Sequence, residues 1–269
     1  MQKGEKDLKM RVKTILHIGM QRTGTTFFQR EVFPKLNIRY ISPKFFKWRS
    51  LGTLIESYSY IIREDTLISN ENIYCDMWSK EDTRFERLEL LHKLFPHAKI
   101  IFGVRNKEAL MKSWYKKSIG VGATWTYEEF LQQINLNVFD YEPYIKRLRK
   151  VFNDVYVYRF EDFKSTPDNV IEEMCQFIGV ETPKIDKEAY KRKWNIGYTD
   201  KQIRIARRLN KIFKTKLNPS GIIPLHYKWH PHRIIFQKEI IIMLKRGKYN
   251  NLLPVYEKKR YQNEKSNYS

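Results

Sequence analysis

Cysteine is scarce in this chain: 269 residues hold two, Cys75 and Cys175. Two thiols exclude a disulfide framework and a cysteine-built metal centre. Cys175 lies among Met174, Phe177 and Ile178, which suits the core face of a helix. Long apolar runs are also missing. None approaches the roughly eighteen residues that a bilayer-crossing helix needs. Residues 1–12 are rich in charged residues, chiefly Lys, and carry no apolar signal core. The chain is therefore expected to be soluble and cytoplasmic. Histidine is sparse, at six; His230 and His232 flank Pro231, but no metal site is read from them. Acidic residues are outnumbered, 30 Asp and Glu against 51 Lys and Arg. The deficit is local. Residues 187–269 hold 5 acidic and 21 basic side chains, whereas residues 1–186 hold 25 and 30. A field of this sign favours a polyanionic partner: nucleic acid, an acidic polysaccharide or an anionic membrane surface. A merely solvated basic face is the plainer alternative.

What is present suffices for a core. Hydrophobic residues make up 42% and aromatics 14%, which excludes a disordered chain. The pattern predicts strands over 14–19, 38–41, 66–69, 98–104 and 154–160, each a short apolar run with β-branched or aromatic residues. Helices are predicted over 25–36, 51–62, 80–94, 107–118, 141–151 and 167–178. Thr126 with Glu129 forms a capping box for another helix, and Gly179 is a helix stop. Strands alternating with helices imply an α/β fold: a three-layer, mostly parallel sheet with helices on both faces. The domain is expected to be single, with a core over about 12–215. A basic helical extension would follow over 216–257, including helices over 201–213 and 233–244. A turn separates those two over 218–224, and the tail over 258–269 is expected to be disordered.

The most informative stretch is the first strand and the loop after it. Gly19 and Gly24 stand five apart, as in the phosphate loop G-x-x-x-x-G-K-[ST]. A strand, a glycine-bounded loop and a helix N-terminus make an anion cradle of converging N–H groups. The lysine that should follow Gly24 is Thr25, and Thr26 takes the Mg²⁺-binding position. A cation does occur inside the loop, at Arg22. The spacing predicts a phosphate-type ligand handled otherwise than by a kinase; an ordinary strand-turn-helix shares the glycine spacing. Ligands in such sheets sit at the carboxyl ends of the strands. That rule would bring residues 21–26, Ser69-Asn70-Glu71 and Arg105-Asn106 together.

Three segments together resemble the sulfotransferases that use 3′-phosphoadenosine 5′-phosphosulfate (PAPS). His17-Ile18-Gly19-Met20-Gln21-Arg22-Thr23-Gly24-Thr25-Thr26 is similar to their 5′-phosphosulfate loop, with Gln21 for the usual proline and Arg22 for the usual lysine. Arg105, at a strand end, and Ser113, eight residues on, resemble their 3′-phosphate site. Val157-Tyr158-Arg159-Phe160-Glu161-Asp162-Phe163 with Phe177-Ile178-Gly179-Val180 is similar to the strand and helix that come next in that family. Ser69-Asn70-Glu71-Asn72 resembles a stretch of the bacterial and carbohydrate-modifying members, whose glutamate is a candidate base. The resemblance implies a P-loop-like fold over about 12–215. It implies donor contacts from Gln21, Arg22, Thr23, Gly24, Thr25, Thr26, Arg105 and Ser113, and catalytic roles for Arg22 and Glu71. Arg192 or Lys193, in the basic stretch 190–198, would be further 3′-phosphate contacts.

Elementary chemistry agrees with those roles. Sulfuryl transfer builds charge on the departing phosphate, which needs aimed donors. Arginine keeps its proton at ordinary pH, so Arg22 is expected to stabilise charge rather than act as an acid. Glu71 is placed to take a proton from an acceptor hydroxyl. The expected cofactor is PAPS, with no metal. The expected acceptor is a glycan, polysaccharide or glycolipid, anionic to match the basic last third, with peripheral contact at the inner face of a membrane. No specific nucleic acid is expected. Two alternatives stay open at this point: a P-loop nucleotide kinase or NTPase, and a non-enzymatic polyanion-binding protein.

Overall fold

Apolar runs become buried parallel strands. A computed structural model of the chain describes residues 13–43, 64–79, 81–192 and 197–237. The predicted helix over 51–62, Lys193, the 238–244 part of a second helix and the tail all lie outside them. The main sheet contains β1 (Thr14–Gly19), β2 (Arg39–Ile41), β3 (Thr66–Ser69), β4 (Lys99–Val104) and β5 (Val155–Arg159). Their order is β2-β3-β1-β4-β5, and all neighbours are parallel. β1 is central. His17 pairs with Ser69 on one side, and Gly19 pairs with Gly103 on the other. The chain segments that leave β1, β3 and β4 therefore emerge side by side.

Helices in chain order are α1 (Thr25–Phe27), α2 (Arg84–Leu94), α3 (Lys107–Gly120), α4 (Tyr127–Gln133), α5 (Glu142–Val151), α6 (Phe160–Ser165), α7 (Pro167–Ile178), α8 (Lys187–Lys191), α9 (Asp200–Asn210) and α10 (Pro231–Gln237). Alternate strand residues face opposite layers, as the period of two requires. Ile15, Leu67 and Ile101 pack with Phe28, Val32, Phe33, Met174 and Ile178 on one face. The neighbouring Phe102 meets Tyr74 and, from α5, Tyr144 on the other, at ring centroids of 5.2 and 5.4 Å. The sheet is thus covered on both faces, the three-layer arrangement the pattern predicts.

Several local predictions hold at atomic detail. Thr126 and Glu129 exchange both capping bonds, at 2.7 and 3.1 Å. Gly179 ends α7 with φ 86°, and the N–H groups of Gly179 and Val180 both reach the Cys175 carbonyl. Cys175 is fully buried there. The predicted helix over 25–36 is different. Three α-helical residues pass into a π-helical turn, Phe28–Val32, and then a 3₁₀ turn, Phe33–Lys35. Pro34 has no N–H to continue an α-helix, and the wider π turn lets Phe28 and Phe33 stack at 5.9 Å. Residues 216–237 are less helical than expected. They contribute β7 (Ile223–Pro224), which pairs with β6 (Phe213–Lys214), then a 3₁₀ turn, Tyr227–Trp229, and α10.

The described residues group into two compact units. The first draws on 1–112 and 131–194 and contains the main sheet; the second draws on 113–130 and 195–269. The core of the second is Ile119, Ala123, Tyr198, Ile203 and Ala206. A polar node reinforces it. Asn210 Nδ2 donates to the Ile119 and Ala123 carbonyls at 2.8 Å each, while its Oδ1 faces His230 Nδ1 at 3.1 Å and His232 Nε2 at 2.7 Å.

Candidate active site

The loop after β1 has an unusual backbone. Gly19 has φ 126° and Gly24 has φ 90°, and between them Arg22 has φ 78°. Arg22 is the only non-glycine residue among those described with positive φ. A left-handed arginine costs about 1–2 kcal/mol, and such strain is found where surrounding structure fixes a functional geometry. Positive φ at Arg22 and again at Gly24, with Thr23 between them, is backbone of the kind that can turn N–H groups toward one concavity as an anion nest. Neighbours leave no room for relaxation. A Cβ on Gly24 would stand 3.1 Å from Phe163 Cδ1, and Thr23 is fully buried with its hydroxyl donating to the Met20 carbonyl at 2.8 Å.

Side chains from the segments just after β3 and β4 converge on this loop, as the strand-end rule predicts. Thr25 Oγ1 donates to Glu71 Oε1 at 2.5 Å. Gln21 Nε2 donates to Asn72 Oδ1 at 3.0 Å. Arg105 Nη1 donates to the Arg22 carbonyl at 2.9 Å, and its guanidinium lies 4.4 Å over the Phe160 ring. Asn70 orients Glu71: its side chain accepts from Asn72 N–H at 3.0 Å and caps the 3₁₀ turn Glu71–Ile73. Gln21, Arg22, Thr23, Gly24, Thr25, Glu71 and Arg105 therefore form one constellation in the first unit. Thr26 follows on α1. Ser113 is buried within α3 and belongs to the second unit. Arg192 pairs with Glu31 at 3.1 Å.

The electrostatics are those of a site built for an anion. Burial pulls the Arg22 guanidinium below its ordinary pKa, and the Arg105 charge lowers it further. Burial also lowers Arg105, while Glu161 and Tyr141 oppose the shift. Two cations brought together and partly desolvated gain when a multivalent anion arrives. Arg105 Nε is buried with no hydrogen-bond partner among the described residues. Such an atom is costly unless something binds it.

Sequence patterning does not reveal a second layer. His17 is fully buried behind the loop, with Nδ1 2.7 Å from Ser69 Oγ and Nε2 3.3 Å from the Tyr158 hydroxyl. Gln29 Nε2 donates to Ser69 Oγ at 2.9 Å. Burial holds the His17 pKa down at about 3, so the imidazole is neutral. A Cβ on Gly103 would collide with the Tyr158 hydroxyl and lie 2.9 Å from Thr23 Oγ1, which is why glycine stands opposite the loop. Asn72 and Glu161 stand out in sequence only as neighbours of site residues. Glu161 Oε1 accepts from Asn106 N–H at 3.0 Å and so fixes the chain just beyond Arg105. Tyr40, on β2, carries no sequence signal of its place here. Its hydroxyl is buried without a partner among the described residues, and burial, with Glu71 adding to it, raises its pKa.

Metal chemistry has no clustered ligand set among the described residues. His226 and His230 do stand four apart, a ligand-like spacing in the sequence. They flank the 3₁₀ turn Tyr227–Trp229, and His230 is engaged by Asn210 and by the Leu225 carbonyl, 3.2 Å from its Nε2.

Comparison with known proteins adds the family. A model described as "Sulfotransferase family" matches residues 48–184. The match takes in Glu71, Arg105 and Ser113 and leaves out the loop after β1. No curated protein matches the chain. Among solved structures, a sulfotransferase from Alicyclobacillus acidocaldarius is 17% identical with a TM-score of 0.44, covering 72% of this chain and 88% of that one. Mouse sulfotransferase SULT7A1 complexed with PAP is 16% identical with a TM-score of 0.45, covering 80% and 69%. A sulfotransferase domain from the curacin biosynthetic pathway is 15% identical with a TM-score of 0.40, covering 85% and 98%.

Proposed function

The chain belongs to the sulfotransferase family, and from that premise we propose that it moves a sulfuryl group from PAPS to a hydroxyl or amine of a glycan, polysaccharide or glycolipid. The observation that carries the donor assignment is the left-handed Arg22 between Gly19 and Gly24, with the Arg105 guanidinium bonded to its carbonyl. The donor supplies an activated sulfuryl group and a phosphate that leaves with negative charge. Loop N–H groups and the Arg22 guanidinium bind and stabilise that charge, fixed in advance by the strained backbone. Arg105, stacked on Phe160 with Nε unpaired among the described residues, binds a second phosphate, the 3′ group that separates this donor from ATP. Ser113 joins it in this reading. Gln21, Thr23, Gly24, Thr25 and Thr26 line the 5′ side. Glu71 takes the acceptor proton, and its bond to Thr25 Oγ1 holds its carboxylate beside the donor loop. The absence of lysine after Gly24 weighs against a kinase.

The same reading places the enzyme in the cytoplasm, at the inner face of a membrane, with an acceptor drawn to the basic last third. Both cysteines are free thiols, as a reducing compartment favours. The test is thermal stability with 3′-phosphoadenosine 5′-phosphate, set against ADP and against ATP with Mg²⁺. At a hundred times its dissociation constant a ligand stabilises by about 2.7 kcal/mol. Selective stabilisation by the 3′-phosphorylated nucleotide, lost in Arg105→Ala, is the expected result. Preference for ATP would replace the reading with a kinase.

A further inference from the structure

Basic side chains and four of the exposed isoleucines of the second unit gather at α9 and the turn after it. On α9, Ile203, Ala206 and Asn210 are buried. At 100° per residue, Lys201, Arg204, Ile205 and Arg208 then share the outward side, and Lys211 and Ile212, just past the helix, are exposed too. Ile205 and Ile212 are 38% and 43% exposed. The chain turns and returns beside Ile212: the N–H groups of Ile222 and Ile223 both donate to the Ile212 carbonyl at 2.9 Å. This sets Ile222, 85% exposed, and Ile223, 47% exposed, next to it. Lys211 and Lys214 flank the group on β6 and just before it. The tip is held firmly. Asn218 Nδ2 donates to the Asn210 and Phe213 carbonyls at 2.8 and 2.9 Å, and Gly221 packs so closely on the Phe213 backbone that no Cβ would fit.

We propose that this face is a docking surface for an anionic lipid bilayer, with the Ile222 and Ile223 tip entering the interface and the cations of α9 and β6 meeting the headgroups. Charge complementarity favours this occupant. Between 197 and 237 the only acidic residue is Asp200, and its carboxylate pairs with Lys116 at 3.4 Å. In this described segment cations therefore far outnumber carboxylates, and each Lys or Arg near an anionic bilayer strengthens binding several-fold. The apolar part selects a membrane over a soluble polyanion. Soluble polyanions, nucleic acid included, are held by cations on their charged groups, with aromatic stacking for single strands; exposed isoleucines add nothing to such a contact. An isoleucine held rigidly in water gains by leaving it, and long cations beside it snorkel. No helix among the described residues is long and apolar enough to cross a membrane, so the contact is peripheral. This inference is independent of the donor assignment.

The test is flotation of the full-length protein with phosphatidylcholine vesicles, and with vesicles in which about a third of the lipid is phosphatidylglycerol. Two double variants accompany the wild type: Ile222→Ser with Ile223→Ser, and Arg204→Glu with Lys211→Glu. All four side chains are exposed and outside the nucleotide site. Each variant is expected to keep the wild-type melting temperature and its stabilisation by 3′-phosphoadenosine 5′-phosphate. Wild type is expected to float only with anionic vesicles, less so in about 0.5 M KCl. Each double variant should lower partitioning about tenfold or more. Failure to float, equal flotation with neutral vesicles, or flotation unchanged by both variants would overturn the proposal. Self-association lost in the isoleucine variant, without vesicle binding, would give the face to a second copy. Retention on an acidic polysaccharide that depends on the cations alone would give it to a soluble polyanion.

Discussion

Two buried or half-buried side chains make opposite demands on the proton. Glu71 accepts from the Thr25 hydroxyl and, as proposed, receives the acceptor proton. Glu71→Gln keeps an oxygen for the Thr25 hydroxyl and removes the base. Turnover is expected to fall by about 10²-fold or more, while the dissociation constant for 3′-phosphoadenosine 5′-phosphate changes little. Sulfate-transfer kinetics beside calorimetric titration read both, and unchanged turnover would move the base elsewhere. His17 is neutral in the folded protein because burial keeps its pKa at about 3; unfolded, it titrates near 6.5. Below about pH 6.5 the unfolded chain binds a proton that the native state refuses. Stability from this group therefore falls as pH drops from 6.5 toward 3. Between pH 7 and pH 5 the loss amounts to about 2 kcal/mol. His17→Gln should remove that part of the acid sensitivity, measured as urea unfolding at the two pH values. An identical pH dependence in the variant would mean that His17 takes up its proton over the same pH range folded and unfolded.

At the scale of elements, the loop after β1 matters through backbone more than side chain. Gly24→Ala places a Cβ at φ 90° and 3.1 Å from Phe163. The left-handed conformation alone costs about 1–2 kcal/mol. Urea unfolding is expected to show a loss of about 1–3 kcal/mol, and nucleotide should no longer raise the melting temperature. Wild-type stabilisation in the variant would mean that the nest is not the donor cradle. The glycines and the strand before them were legible in sequence because a buried parallel strand is simply an apolar run. The caps at Thr126 and Gly179 were legible because their chemistry is local. The π turn after α1 was not, since it answers to Pro34 and to phenylalanine packing. Nor was the β6–β7 pair: two-residue strands carry no period. His17 escaped for another reason. Its partners Ser69 and Tyr158 are 52 and 141 residues away in sequence, and no local pattern announces a contact of that kind. That Arg22, Glu71 and Arg105 come together around one loop was legible because each follows a recognisable strand, and such segments emerge side by side in a parallel sheet.

The whole molecule carries a net charge of +21, and charge of this size works on stability and on binding in opposite directions. Like charges repel in the compact state, so screening them stabilises it. The ion pairs that salt would weaken are mostly exposed, such as Lys191 with Glu188 and Arg39 with Glu64, and pairs of that kind contribute at most about 1 kcal/mol each. Net repulsion should win. Raising KCl from about 20 to 300 mM, which shortens the screening length from roughly 20 to 6 Å, is expected to raise the melting temperature of the free protein by about 2–4 °C for each kcal/mol of repulsion relieved. The same salt weakens attraction between the Arg22 and Arg105 cations and a nucleotide phosphate. The extra stabilisation given by 3′-phosphoadenosine 5′-phosphate should therefore shrink as the baseline rises. Chloride is the right salt for this, because sulfate would compete for the anion nest. A melting temperature that falls with KCl would mean that ion pairs outweigh repulsion. An increment that ignores KCl would mean that nucleotide is held by the neutral N–H groups of the loop rather than by its two arginines.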